Sequence, residues 1–155
     1  MIKRITEEYG ANECDHLLSL LIADEKQYRH DTYNPFVVKD YFKNVIKNPE
    51  NILLAEQIDN HLIGYVYLQP IGEAHRTGYL IDGLYVEKKY RGQGYGRRLL
   101  QKALDVLKTK DLDYLEIKVM THNTIARKLY QSFGFEDQII TMQKSVKNVV
   151  NASKK

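Results

Sequence analysis

The stretch Tyr90-Arg91-Gly92-Gln93-Gly94-Tyr95-Gly96-Arg97-Arg98 decides how this chain is read. Glycines alternate at 92, 94 and 96. Upstream, Thr77 to Val86 reads as a long strand. Downstream, Leu99, Leu100, Ala103, Leu104 and Leu107 recur at helical spacing. The glycines therefore fill a strand-to-helix turn. Glycine has no Cβ, so the backbone there can approach a ligand closely. The first N–H groups of the following helix lack intrahelical partners, and the helix dipole places positive charge among them. Arg91 and Arg97 add charge-assisted donors whose geometry suits phosphate. A plain turn needs one or two glycines. Three of them between arginines favour a bound pyrophosphate.

Two common nucleotide patterns fail on this stretch. The nucleoside-triphosphate loop ends in Gly-Lys-Ser/Thr, whereas Arg97-Arg98 follow Gly96. The dinucleotide fingerprint needs a small residue at 97 or at 99, where Arg97 and Leu99 stand.

Working outward, Met1 to Ile5 reads as a short strand. A first helix is expected from an N-cap formed by Asn12 with Asp15, with the stripe Cys14, Leu17, Leu18, Leu21 and Ile22. Tyr28 to Pro35 reads as a loop, and Val37 to Lys47 as a second helix stopped before Pro49. Ile52 to Gln57 and Leu62 to Leu68 flank Ile58-Asp59-Asn60-His61 as a hairpin. Beyond the glycine turn come a strand with Leu115, Ile117 and Val119, and a helix with Ala126, Leu129, Tyr130 and Phe133 on one face, ended by Gly134. Phe135 to Val146 can hold one or two final strands. Strands in series, then strand–helix alternation, imply an α/β (α+β) mixed sheet with helices on both faces.

A length of 155 residues fits one domain, residues 1–155, with 147–155 a polar and flexible tail. A net charge of +3 without a long basic stripe argues against a nucleic-acid partner. The local basic cluster Lys88, Lys89, Arg91, Arg97, Arg98 and Lys102 suits a small polyphosphate. Cys14 is the only cysteine and lies in an apolar stripe, so a core thiol is expected rather than a nucleophile. The five histidines lack ligand spacing, and no metal site is expected. No apolar run reaches membrane-spanning length, so a cytoplasmic protein without a membrane partner is expected.

With those residues in view, the chain resembles the GNAT superfamily of acetyl-CoA-dependent N-acetyltransferases. That family's pyrophosphate signature, Arg/Gln-x-x-Gly-x-Gly/Ala, is matched by Arg91-Gly92-Gln93-Gly94-Tyr95-Gly96. Asn123-x-x-Ala126-x-x-Leu129-Tyr130-x-x-Phe133-Gly134-Phe135 is similar to a second family motif. The resemblance implies a six- to seven-stranded, mostly antiparallel sheet whose central strands splay to receive coenzyme A. It implies pantetheine pairing along Leu84, Tyr85 and Val86, and pyrophosphate on the N–H groups of Gln93, Gly94, Tyr95 and Gly96. Arg91, Gly92, Asn123, Ala126 and Tyr130 complete the implied cofactor contacts. The implied reaction is direct attack of a primary amine, small-molecule or peptide, on the thioester. A homodimer is compatible with the family.

An attacking amine must be neutral, and a lysine-type amine has a pKa of about 10.4, so a proton acceptor is needed. The leaving thiolate needs a proton donor or a hydrogen bond. Tyr130 matches the family position near the sulfur and is the candidate acid. Asp82 is the candidate base, on the expectation that Leu80, Asp82, Leu84 and Val86 share one face by alternation. Some relatives carry a Glu where Leu80 stands here. Those that acetylate ribosomal N-termini carry one where Lys118 stands, with Glu116 two residues earlier, a departure that disfavours such a substrate. Asp24, Glu25 and Asp31, with Tyr28, Tyr33 and Phe36, border the expected acceptor pocket, and His75 is a second candidate for a water-linked base. A non-catalytic acyl-CoA-binding or sensing module is the alternative function.

Overall fold

The computed structural model describes residues 1–29 and 34–146. Its elements are β1 (Ile2–Arg4), α1 (Glu8–Glu25), α2 (Tyr41–Val45), β2 (Ile52–Ile58), β3 (His61–Glu73), β4 (Arg76–Val86), α3 (Tyr95–Leu107), β5 (Tyr114–Ile117) and α4 (Thr124–Ser132). Single 3-10 turns follow α1 at Lys26–Tyr28 and β4 at Lys88–Tyr90. The strands lie in sequence order in one sheet. β1 to β4 pair antiparallel, and β5 pairs parallel to β4.

Helices cover both faces. Successive residues of β2 supply opposite cores, because side chains alternate across a strand. Ile52 and Leu54 join Leu99, Leu100, Ala103 and Tyr130 under α3 and α4. Leu53 and Ala55 join Cys14, Leu17 and Phe42 under α1 and α2. The unbroken apolar run from Ile52 to Ala55 is what a doubly covered strand requires. At the β2–β3 connection Asp59 and Asn60 take φ of 48° and 67°, the left-handed pair that matches the twist of a two-residue hairpin. Cys14 is fully buried, as expected of a core thiol, and burial pushes its pKa up.

Three expectations need correction. α1 begins at Glu8 rather than near Asn12, because the Glu7 carboxylate accepts from Gly10 N at 2.8 Å and caps the helix. Asp15 is instead buried mid-helix, where its Oδ1 accepts from Phe42 N at 2.9 Å. α2 is far shorter than Val37 to Lys47, since Asp40 turns left-handed at φ 59° and Val38 N donates to Ser19 Oγ outside any helix. Finally, the sheet has five strands among the described residues, not six or seven. Residues 135–146 form no strand, and Ile139, Ile140, Met142 and Val146 are exposed. Their alternation reports amphipathicity, but a strand also needs a ladder partner, and β5 offers only four residues of edge. The expected tail, 147–155, lies outside the described residues.

Candidate active site

The site begins where β4 and β5 part. β5 pairs with β4 only from Gly78 to Ile81, while β4 runs on to Val86. Along Asp82 to Val86 the β5-facing edge of β4 thus has no ladder neighbour, leaving an open cleft between two parallel strands. In the described residues this splay lies between β4 and the edge strand, not between two interior strands.

A bulge starts the splay. Tyr67 faces Gly83 and Leu68 faces Ile81, so Asp82 has no cross-strand partner. A bulge shifts every later side chain to the other face. Ile81, Leu84 and Val86 accordingly meet the α3/α4 core, and Tyr85 meets the α1/α2 core. The expected common face of Leu80, Asp82, Leu84 and Val86 does not form. Asp82 belongs with the α1/α2 side. Its Oδ2 accepts from Gln69 Nε2 at 3.0 Å, and the Gln69 oxygen accepts from the Tyr67 hydroxyl at 3.4 Å. Tyr41 packs edge-on to Tyr67, ring centroids 6.4 Å apart. Burial, followed by the negative charge of Asp82, raises the pKa of Tyr41. Burial, then Tyr41 and Asp82, push Tyr67 up to about 12. Asp82 itself is exposed rather than walled by apolar groups, and among the described residues it forms no ion pair. Beneath the bulge, the Tyr65 hydroxyl is buried without a hydrogen-bond partner, and a Cβ on Gly83 would lie 3.0 Å from it.

The glycine turn leads from the splay into α3. Gly92 and Gly94 have φ of 75° and 89°, left-handed values that disfavour any side chain, and a Cβ at either would meet nothing within 4 Å. Open space therefore borders both backbones. Gly94 is the N-cap of α3 and supplies no side-chain cap, so the first N–H groups of this 13-residue helix face outward uncapped. These features fit a pyrophosphate cradle built of backbone. Gly96 faces the core, its Cβ position in ordinary contact range at 3.8 Å from Leu129 and 3.9 Å from Val86.

The arginines expected to hold phosphate are engaged elsewhere. Arg91 Nε donates to Val86 O at 2.7 Å, and its Nη2 donates to Asp24 Oδ2 at 2.8 Å. Its guanidinium lies 5.1 Å from the Tyr85 ring centroid. The Val86 carbonyl is thereby occupied on the strand expected to pair with pantetheine. Arg97 Nη2 donates to Ser132 Oγ at 3.1 Å and lies over Phe133. Arg98 approaches the buried Glu56 at 3.5 Å. Gln93 donates to the Lys89 carbonyl at 3.3 Å, and Tyr95 packs edge-on to Tyr90.

Tyr130 lies on α4, the helix that follows β5. It is 8% exposed in the α3/α4 core, edge-on to Phe135, and burial pushes its pKa up to about 12. The phenol is thus neutral at any physiological pH. Asn123 caps α4, its Oδ1 accepting from Ala126 N at 3.2 Å. That bond fixes the start of the helix that carries Tyr130.

Other candidates stand apart. Glu116, Lys118, His75 and Phe36 are exposed, Asp24 is committed to Arg91, and Glu25 pairs with Arg29 at 3.1 Å. Asp31 and Tyr33 lie outside the described residues. A surface cavity of about 270 Å³ lies away from the splay, lined by Asn12, Asp15, His16, Ser19 and Val37 to Asp40. Its Asp15 and Ser19 oxygens already accept from Phe42 and Val38, so packing accounts for them. Gln69, Tyr67 and Tyr41, which neighbour Asp82 or one another, are the residues that sequence reasoning did not single out. Gln69 had one faint signal, a carboxamide closing the apolar run from Leu62 to Leu68.

Comparison with known proteins shows the family and the fold. The model of the acetyltransferase (GNAT) family matches residues 15–135. The chain is 27% identical over 103 residues to a putative [ribosomal protein bS18]-alanine N-acetyltransferase of Bacillus subtilis, covering 66% of each chain. It is 32% identical over 95 residues to N-alpha-acetyltransferase RimI of Mycobacterium tuberculosis, covering 61% of this chain and 58% of that one. The chain thus spans about two thirds or less of the length of these curated relatives. Among solved structures, the tetramutant of the BH1408 protein of Bacillus halodurans superposes with a TM-score of 0.79 at 20% identity, over 94% of this chain and 99% of that one. A ribosomal-protein-alanine N-acetyltransferase of Brucella melitensis gives 0.67 at 19%, over 94% and 97%.

Proposed function

The chain belongs to the acetyltransferase (GNAT) family, and from that premise we propose that it transfers the acetyl group of acetyl-CoA to a primary amine by direct attack. The observation that carries this reading is the continuity of the β4–β5 cleft with the uncapped start of α3. An extended chain ending in a pyrophosphate needs just such a strand edge leading to a helix N-terminus. Gly92 and Gly94 leave room for the diphosphate, Leu84 and Tyr85 present strand backbone, and Ala126 lies at the start of α4.

Acetyl-CoA supplies the acyl group as a thioester. In this reading Asp82, bonded to Gln69, serves the acceptor amine, and Tyr130, packed in the α3/α4 core, serves the thioester sulfur. Asp82 accepts the proton that an acceptor ammonium must lose before its nitrogen can attack. Gln69 holds that carboxylate in place. Tyr130 keeps its proton at pH 7 and donates a hydrogen bond to the departing sulfur. A phenol pushed up to about 12 is a weaker acid than a thiol at about 8.5, so the thiolate takes as its proton the one the attacking nitrogen sheds on becoming an amide. The acceptor is a small-molecule or peptide amine.

Thermal unfolding with and without acetyl-CoA tests the donor. Ligand at 100 times its dissociation constant stabilises a protein by about 2.7 kcal/mol. A rise in Tm with acetyl-CoA and none with ATP supports the reading, and no response to acetyl-CoA overturns it.

A further inference from the structure

We infer that Asp24 and Arg91 form a positioning bridge that sets the cofactor loop from the acceptor-side helix, so that the signature arginine acts on the loop rather than on phosphate. This rests on the proposed acetyl-CoA site.

The geometry carries the point. Arg91 is the residue immediately before Gly92, and three groups hold it. Val86 O accepts from its Nε at 2.7 Å, Asp24 Oδ2 accepts from Nη2 at 2.8 Å, and the Tyr85 ring lies under the guanidinium. Two of these are on β4 and one is near the end of α1. The side chain therefore spans the last residues of β4, the first residue of the glycine turn and the helix that roofs the α1/α2 core. Asp24 is only 22% exposed, and its second oxygen faces Lys88 at 3.9 Å in the 3-10 turn before Arg91. One carboxylate thus ties both ends of the Lys88–Arg91 segment to α1.

In the residues that follow, Gln93 reaches back to Lys89 O and Gly94 O accepts from Arg98 N, while Gly92 and Gly94 hold left-handed backbones with open space at each Cβ position. Glycine-rich backbone has the most conformational freedom to lose on ordering. Fixing one end of it before a ligand arrives lowers the cost of arranging the N–H groups around an anion. Arg97 performs the same service on the far side by joining α3 to Ser132 of α4. Both arginines then contribute order to a cradle whose contacts with phosphate come from N–H groups. Asp24 is not free to attract the acceptor amine. Its charge is already neutralised by Arg91 and Lys88.

The experiment compares Asp24→Asn, Arg91→Gln, the double variant and Asp24→Glu by calorimetric titration with CoA, by steady-state kinetics, and by amide hydrogen exchange of the ligand-free proteins. Each single charge-removing variant is expected to weaken CoA binding by about three- to tenfold, the range of a partly buried pair. The double variant is expected to be no weaker than the worse single, because both remove one interaction. Asp24→Glu restores most of the affinity. The KM for acetyl-CoA rises while kcat stays within about twofold, a split that general loss of stability does not produce. Unchanged CoA affinity, or losses that add in the double variant, overturns the bridge. Exchange at Gln93 to Gly96 judges the bridge with no cofactor present. Faster exchange in Asp24→Asn supports it and equal exchange overturns it, even where the wild-type protein proves not to bind CoA.

Discussion

Gln69 Nε2 donates to Asp82 Oδ2 at 3.0 Å across the one point of the β3–β4 ladder where β4 carries an unpaired residue. The bulge leaves Asp82 without a ladder partner, and the pairing of β4 with β5 stops one residue before it, at Ile81.

If Asp82 accepts the amine proton, Asp82→Asn removes the acceptor while preserving shape and the exposed position. Turnover at pH 7 should fall by about 10²-fold or more, the usual contribution of a positioned base. CoA affinity should stay unchanged by calorimetry. Gln69→Leu should give a smaller fall in kcat, because it removes only the group that orients the carboxylate. Full activity of Asp82→Asn would take the residue out of the mechanism.

Tyr130 couples stability to pH. Its folded pKa, pushed up to about 12, lies above the ordinary value of 10.0, so its neutral form stabilises the fold fully below pH 10. That stabilisation, on the order of 2–3 kcal/mol, is lost as pH rises from 10 towards 12. Tyr130→Phe should flatten this part of a stability–pH curve from denaturant unfolding, relative to wild type. The same variant should lower kcat and leave CoA affinity nearly unchanged.

Gly94 has φ of 89° with open space beyond it. Gly94→Ala should cost about 1–2 kcal/mol of stability through backbone strain alone. Gly94→Glu adds bulk and negative charge at the cradle and should abolish CoA binding. Calorimetric titration of the two variants, each checked for folding by circular dichroism, separates strain from exclusion.

The buried Tyr65 hydroxyl has no hydrogen-bond partner. Removing it should be neutral or stabilising by up to about 1–3 kcal/mol, the cost of leaving a buried polar group unsatisfied. Tyr65→Phe should thus raise Tm. It should also relieve Gly83→Ala, whose new methyl would sit 3.0 Å from that oxygen. A lower Tm for Tyr65→Phe would mean the hydroxyl is satisfied by water.

What could be read directly from the residues was local. The glycine turn, the α3 stripe and the Asp59-Asn60 hairpin follow from spacing and from left-handed turn chemistry. The bulge at Asp82 was invisible, because strict alternation assigns Asp82 and Val86 to one face and only the β3–β4 register separates them. The cap of α1 is Glu7, through its bond to Gly10 N, while Asp15 makes a tertiary bond with Phe42, 27 residues on. Arg91 and Arg97 read in sequence as charged donors to phosphate. In the structure they reach Asp24 and Ser132, 67 and 35 residues away, and a sequence window cannot reveal such pairs. The final strands failed for the same reason, since pairing depends on an edge elsewhere in the chain.

The central claim is acetyl transfer to an amine, and free-thiol release from acetyl-CoA across a panel of small and peptide amines tests it most directly. The account predicts thiol release that depends on at least one amine, together with an acetylated product by mass spectrometry. CoA binding without amine-dependent release or product from any member of the panel would contradict it.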